Sequence, residues 1–474
     1  MQVLVASNRG PVSFSLSEEG ALTMRRGGGG LVSGLASVAA GTDLVWVCAA
    51  MSEADRLAAR QNPSGRLDEA GHETGAVRML DIPETTFQRA YNSVANSTLW
   101  FVHHLLYDTP NEPHFDSTFR RDWQSYEAYG SAFADALAQD AEPGAKVVVQ
   151  DYHLALVPRM LRERRPDLRI AHFSHTPWAP PEYFRLLPDD IAAAVLEGVL
   201  GADHAGFLCD RWAEAFLDCC EAVLDAKVDR FARTVRHQGR VTRVGVHSLG
   251  VDGAELRGRA ALDDVAERRA ALLEQAGGRQ LILRIDRTEL SKNIVRGLAA
   301  YWELLLHHPE WHGRVVHVAF AYPSRTDLPR YRDYTAAVER LAAEINDEFG
   351  TAEWTPLVLQ VKDDYARSLA ALRLADVLVV NPIRDGMNLV AKEGPVLSEK
   401  GCALVLSREA GAAGELAEDA LTVNPYDVSQ TARALNRALL MSAEERRERT
   451  ARLAAAATAL PPGAWFAEQL AALD

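Results

Sequence analysis

Short apolar runs alternate along the chain with longer stretches in which apolar residues recur at helical spacing. The first half offers VLVAS, LVWVCAA, KVVVQDY, RIAHFSH and AGFLC; the second offers LILRID, RVVHVAFAY, PLVLQV, DVLVVNP, CALVLS and ALTVNP. Runs this short, apolar at consecutive positions and rich in β-branched residues, predict strands covered on both faces. RWAEAFLDCCEAVL and TAAVERLAAEINDEFG predict helices between them. The alternation predicts an α/β protein built on parallel sheets. It pauses over RVTRVGVHSLGVDG, residues 240–253, and resumes with VAERRAALLEQA and QLILRID. A boundary there gives two doubly wound, Rossmann-like domains, 1–245 and 246–474. A ligand cleft between them is expected, because such sheets bind ligands at the carboxyl ends of their strands. The tail WFAEQLAALD predicts a last helix, packing back on the N-terminal domain.

The length, 474 residues, fits two cores better than one. With 48% hydrophobic and 24% charged residues the composition is that of a soluble globular protein. The formal net charge of −14 argues against broad electrostatic binding to nucleic acid or an anionic membrane, but leaves room for a small anion in a local basic pocket. The five cysteines, Cys48, Cys209, Cys219, Cys220 and Cys402, have no metal-ligand spacing and read as reduced thiols. MQVLVASNRG reads as a strand and a turn rather than a signal peptide, and no apolar run approaches a membrane span. The expectations are a cytoplasmic protein, small-molecule substrates, no metal or cofactor, and compatibility with a homo-oligomer.

Chemistry concentrates where strands end. SNRG puts Asn8 and Arg9 after the first strand. RRGGGGLVSGL holds four consecutive glycines ahead of a predicted helix, as a surface loop or as backbone that can approach an anion. VVVQDYHL puts Asp151 and His153 after a buried strand, and IAHFSHTP does the same with His175. One such histidine would read as structural; two consecutive strand ends favour hydrogen bonding to the hydroxyls of a polar ligand. RIDRTELSKNIVRGL offers Arg284, Arg287 and Lys292, of which Arg287 and Lys292 suit a diphosphate. DGMNLVAKEG puts Asp385 and a glycine turn after a strand, with Glu393 in the helix that follows, where a carboxylate can accept both hydroxyls of a ribose.

Taken in order, SNR, the glycine-rich loop, YNSVANSTLW, DYHL, HTPW, RTELSK and DGMNLVAKE make almost the whole chain resemble the trehalose-6-phosphate synthase family, retaining glycosyltransferases of the GT-B fold. The resemblance implies that Arg9, Tyr91, Trp100 and Arg325 bind glucose 6-phosphate. It implies that Arg287 and Lys292 neutralise the donor diphosphate, and that Asp151, His175 and Asp385 hold the donor glucose. Gly29, Gly30, Gly386, Met387 and Asn388 join the donor site; Leu389 and Val390 meet phosphate through backbone N–H groups, and Glu393 holds the ribose. The chain departs from the family pattern at Gln150, where many relatives have His, and at Glu289, Leu290 and Asn293, where TELSKN replaces the commoner LDYSKG. The second departure also resembles pseudo-glycosyltransferases that join a GDP-activated cyclitol to an aminocyclitol phosphate, which points to GDP-glucose over UDP-glucose. Asp363 and Asp364 are candidate guanine acceptors, though a helix N-cap explains them as well. The alternatives to a trehalose-6-phosphate synthase are such a pseudo-glycosyltransferase and a non-catalytic sugar-phosphate sensor.

Overall fold

The computed structural model describes residues 2–17, 20–27, 43–62, 66–67, 75–326 and 328–474. The candidate residues Gly29 and Gly30 lie outside the described residues. The chain forms two compact units, Met1–Leu249 with Pro462–Asp474, and Gly250–Pro461.

The first unit carries a nine-stranded sheet of β1 (Val3–Ser7), β4 (Leu44–Ala49), β5 (Ala76–Leu80), β6 (Lys146–Gln150), β7 (Arg169–Ser174), β8 (His204–Phe207), β9 (Lys227–Asp229), β10 (Thr234–His237) and β11 (Arg240–Val246). A separate hairpin pairs β2 (Val12–Leu16) with β3 (Leu22–Arg26). The order is β5-β4-β1-β6-β7-β8-β11-β10-β9, parallel from β5 to β11. Every residue of β1, β4 and β6 is buried, which is why their sequences run apolar without alternation, save for Ser7, Lys146 and Gln150 at strand ends. Strand order runs outward in opposite directions from β1 and β6, so their carboxyl ends form a topological switch point. The segment where the sequence pattern pauses is itself a strand, β11, parallel to β8 and antiparallel to β10. The closing helix Pro462–Ala471 buries Trp465 and Phe466. It is tied to β6 and β7 by Lys146 Nζ, 2.5 Å from Asp474 Oδ1, and by Arg169, which donates to Leu473 O at 2.8 Å.

The second unit is wholly parallel: β12 (Gln280–Arg287), β13 (Val315–Tyr322), β14 (Leu357–Gln360), β15 (Val377–Val380), β16 (Ala403–Ser407) and β17 (Leu421–Val423), ordered β14-β13-β12-β15-β16-β17. Its switch point falls between β12 and β15.

Candidate active site

At the first switch point the chain leaves β6 through Asp151, whose φ of 72° is a left-handed conformation that a non-glycine side chain rarely adopts. The surroundings hold it there. Asp151 N donates to Phe173 O at 2.7 Å, its carbonyl lies 3.3 Å from His172 Nε2, and its Oδ1 accepts from His175 N at 3.1 Å. His175 Nε2 is 2.7 Å from Gln150 Oε1, so the two side chains fix each other's orientation. Burial, reinforced by neighbouring His172, pulls the His175 pKa down to about 4 and keeps the ring neutral. Burial does the same to His172, against the pull of the Asp151 carbonyl.

Tyr91 and Trp100 lie at the two ends of one unusual element. Residues Arg89–Leu99 form a π-helix, whose wide turn is shown by the Trp100 N–H bonding to Ala95 O, five residues back. Tyr91 stacks on His153 with ring centroids 5.6 Å apart, and Trp100 lies 5.8 Å from Tyr152. The π-helix thus brings both aromatic residues to the Asp151 turn, in keeping with the frequency of such helices at functional sites. Arg9 is exposed just beyond β1. The adjoining Asn8 is buried and fixed by Tyr129, whose hydroxyl donates to Asn8 Oδ1 at 2.5 Å.

At the second switch point, Lys292 Nζ donates to Asp385 Oδ2 at 2.5 Å. The pair joins the turns after β12 and β15. Burial pulls the Lys292 pKa down, but the carboxylates of Asp385, Asp286 and Glu289 outweigh it and raise it above the ordinary lysine value. Arg287 has a side chain 58% exposed and sits 3.1 Å from fully buried Glu289. Arg284 does not join them: it is completely buried inside β12, paired with Asp286 at 2.8 Å and donating to Lys292 O at 3.0 Å. It braces the turn that carries Lys292. Asn293 also has a structural explanation. Its φ is 58°, a left-handed position that Asn or Gly tolerates, and its amide donates to Asn381 O at 2.9 Å and Pro425 O at 2.8 Å.

The DGMN turn is held from behind. Asp385 N donates to Glu409 O, Gly411 N to Asp385 O and Ala412 N to Met387 O. A Cβ on Gly411 would lie 1.9 Å from Gly386 O, so only glycine allows this approach. Asn388 takes a φ of 74° and donates to Asp385 Oδ2 at 3.1 Å. The helix Val390–Leu397 begins directly after Leu389. The first N–H groups of a helix precede its own hydrogen-bond ladder and attract anions. Lys392 is fully buried and bound to both Glu415 oxygens at 2.9 Å, which ties this helix to the segment behind it. Glu393 faces the opposite demand: burial pushes its carboxyl up to about 7. Arg325 follows β13 in a left-handed conformation, φ 47°, and donates to the Tyr331 hydroxyl at 2.6 Å. Among the described residues no cluster of three His, Cys, Asp or Glu could hold a metal ion, and no helix is long and apolar enough to cross a membrane. The five cysteines are free.

The model of glycosyltransferase family 20 matches residues 1–474. The chain belongs to glycosyltransferase family 20. It is similar to the bifunctional trehalose-6-phosphate synthase/phosphatase of Thermoproteus tenax, 36% identical over 94% of this chain and 60% of that protein. It is also similar to validamine 7-phosphate valienyltransferase of Streptomyces hygroscopicus subsp. jinggangensis, 32% identical over 99% of this chain and 93% of that protein. Among solved structures, the E. coli trehalose-6-phosphate enzyme bound with UDP-2-fluoro glucose superposes with a TM-score of 0.87 at 29% identity, covering 100% of this chain and 99% of that one. This family 20 member is a retaining glycosyltransferase of the GT-B fold.

Sequence reasoning places Arg9, Asp151, His175, Arg287, Lys292 and Asp385 at strand ends, and the structure puts each of them at or just past one; Arg325, implied by the resemblance alone, lies three residues beyond β13. It names Gln150 and Glu289 only as departures and Arg284 only as a possible ligand-facing cation, and it gives no sign that these buried side chains hold their neighbours in place. The one available signal was a polar residue inside or beside an otherwise apolar strand, as at Gln150 and Arg284.

Proposed function

We propose that the protein is an α,α-trehalose-6-phosphate synthase, transferring glucose from a nucleoside diphosphate glucose to glucose 6-phosphate with retention at the anomeric carbon. The observation that carries this reading is the Lys292–Asp385 pair at the second switch point, beside Arg287 and the helix opening at Leu389 and Val390. Arg287, Lys292 and the Leu389 and Val390 N–H groups meet the diphosphate, and Glu393 meets the ribose. Asp385, with the Gly386–Asn388 turn, and Asp151 and His175 take hydroxyls of the donor glucose. Arg9, Tyr91, Trp100 and Arg325 take glucose 6-phosphate. The bond from the anomeric carbon to the diphosphate breaks, and its electron pair leaves on the phosphate oxygen. Arg287 and Lys292 stabilise that developing charge, a preorganised electrostatic effect of the kind that often dominates catalysis. The acceptor hydroxyl attacks from the same face, and its proton passes to the departing phosphate oxygen.

For the donor we propose GDP-glucose. With Asn293 explained by backbone geometry, the guanine reading rests on Asp363. Asp364 is committed, with Oδ1 capping the helix Tyr365–Leu374 and Oδ2 2.8 Å from Arg268 Nε. Asp363 is exposed just past β14, where its carboxylate can accept from the guanine N1–H and 2-amino groups. The E. coli structure was bound with a uridine nucleotide, so the comparison of bases is a direct test. Nucleotide release is measured with glucose 6-phosphate and GDP-, UDP- or ADP-glucose, and the product is identified by mass and anomeric coupling. The expected result is α,α-trehalose 6-phosphate, with GDP-glucose the best donor and Asp363→Ala lowering kcat/KM for GDP-glucose alone, by about tenfold. A preference for UDP-glucose overturns the guanine assignment only. Turnover with an aminocyclitol phosphate and none with glucose 6-phosphate overturns the synthase.

A further inference from the structure

Glu289 is a fully buried carboxylate in the turn that carries both proposed diphosphate-binding cations. Its backbone closes that turn: Glu289 N donates to Arg287 O at 2.7 Å, and Lys292 N donates to Glu289 O at 3.0 Å. Its side chain reaches outward from the turn in two directions. Oε1 lies 3.1 Å from Arg287 Nη2 and accepts from Ser324 Oγ at 2.9 Å, while Oε2 is enclosed with no hydrogen-bond partner. A carboxylate held this way is unfavourable in itself, because desolvation of the second oxygen is not offset by a donor. The Arg287 guanidinium and the nearby Lys292 ammonium oppose its charge. Ser324 directly precedes Arg325, which is held in its left-handed conformation against Tyr331, with the guanidinium 5.5 Å from the ring centroid.

We propose that Glu289 is a positioning residue that sets Arg287 for the donor diphosphate and, through Ser324, sets the loop bearing Arg325 for the acceptor phosphate. Arg287 stands mostly in solvent and would otherwise spread over many rotamers; a charge-assisted contact at its base selects a few of them. One carboxylate thus prepares two of the substrate-facing loops of the second unit, those after β12 and β13. A simple brace between two loops would also explain the hydrogen bonds, but it would not require a charge.

The proposal rests on the reading of Arg287 as a diphosphate ligand. The test measures UDP and GDP binding by calorimetry, KM for glucose 6-phosphate and Tm for the intact protein and its Glu289→Gln, Glu289→Asp, Ser324→Ala and Arg287→Ala variants. Glu289→Gln keeps the shape and removes the charge. It is expected to weaken nucleotide binding and raise the acceptor KM, each by about tenfold, the size of one charge-assisted hydrogen bond. Glu289→Asp, the residue of the commoner family pattern, restores most of the nucleotide affinity. Ser324→Ala raises the acceptor KM several-fold, roughly the effect of one neutral hydrogen bond, and leaves nucleotide affinity unchanged. A Glu289→Gln variant that lowers Tm but keeps wild-type affinity and KM would overturn the proposal. If Arg287→Ala also leaves nucleotide affinity unchanged, the underlying reading of Arg287 fails too. If Arg287→Ala weakens it and Glu289→Gln does not, only the positioning role fails.

Discussion

The two switch points share a strand order and differ in chemistry. In the first unit the turn after β6 is lined by aromatic and imidazole rings and hydrogen-bonding groups: His175 against Gln150, Tyr91 stacked on His153, and one strained carboxylate at Asp151. In the second unit the corresponding turns carry ion pairs, Lys292 with Asp385 and Arg287 with Glu289. The parallel sheet supplies a place for ligands, and the residues at the strand ends decide which ligands suit it. Neutral donors and acceptors suit sugar hydroxyls, whereas partly desolvated cations suit a diphosphate.

The largest effect that could break this contrast is at Lys292. Lys292→Ala is expected to lower kcat by about 10²–10³, or about 3–4 kcal/mol, as for loss of one preorganised donor to a developing charge. Steady-state turnover at saturating substrates checks it, and near wild-type kcat would remove the clamp from the account. Asp151→Asn keeps the size of the side chain and removes its charge. It should reduce kcat/KM by about 10–100-fold through lost hydroxyl binding, with nucleotide affinity unchanged.

The third expectation concerns pH. Burial holds the Glu393 carboxyl near 7 against an ordinary 4.5, so the ligand-free fold favours its protonated form. The contribution of this group to stability is therefore present at low pH and is lost as pH rises from about 4.5 to 7. Ribose binding, which needs two acceptor oxygens, runs the other way. Nucleotide affinity should rise by about tenfold between pH 6 and 8, and Glu393→Gln should flatten the profile. A flat wild-type profile would take the ribose away from Glu393. The smallest effect is at Asn293. Asn293→Gly fits the same backbone conformation and loses two buried hydrogen bonds, so stability should fall by about 1–2 kcal/mol in denaturant melts, with the ratio of GDP- to UDP-glucose use unchanged. A shift in that ratio would return Asn293 to donor recognition.

The contrast was readable in the sequence to the extent that it depends on chain position. Consecutive β-branched residues reveal β1, β4, β6 and the second sheet, and a charged residue just past such a run is at a strand end by necessity. Strands that are half exposed left a weaker trace: β5 alternates buried and partly exposed residues, and β9 to β11 are rich in Lys, Arg and Asp at a sheet edge. RAYNSVANSTL conceals its helix because a π-helix does not repeat its apolar positions at 3.6 residues. Arg284 reads as a strand-end cation, yet a cation in a strand can be buried once a carboxylate two residues on shares its face, as Asp286 does. Gln150 and Glu289 stand in the sequence as departures from a family pattern, with no role of their own. Their partners, His175 and Ser324, are 25 and 35 residues away in the chain. Only folding brings them within hydrogen-bond distance.

The division of labour between the switch points is tested most directly by titrating UDP and GDP into the wild-type protein, Lys292→Ala and Asp151→Asn by calorimetry, without acceptor. Lys292→Ala is expected to weaken binding of the preferred nucleotide by about tenfold or more, and Asp151→Asn to stay within about twofold of wild type. Equal losses in the two variants, or a loss confined to Asp151→Asn, would contradict that division of labour.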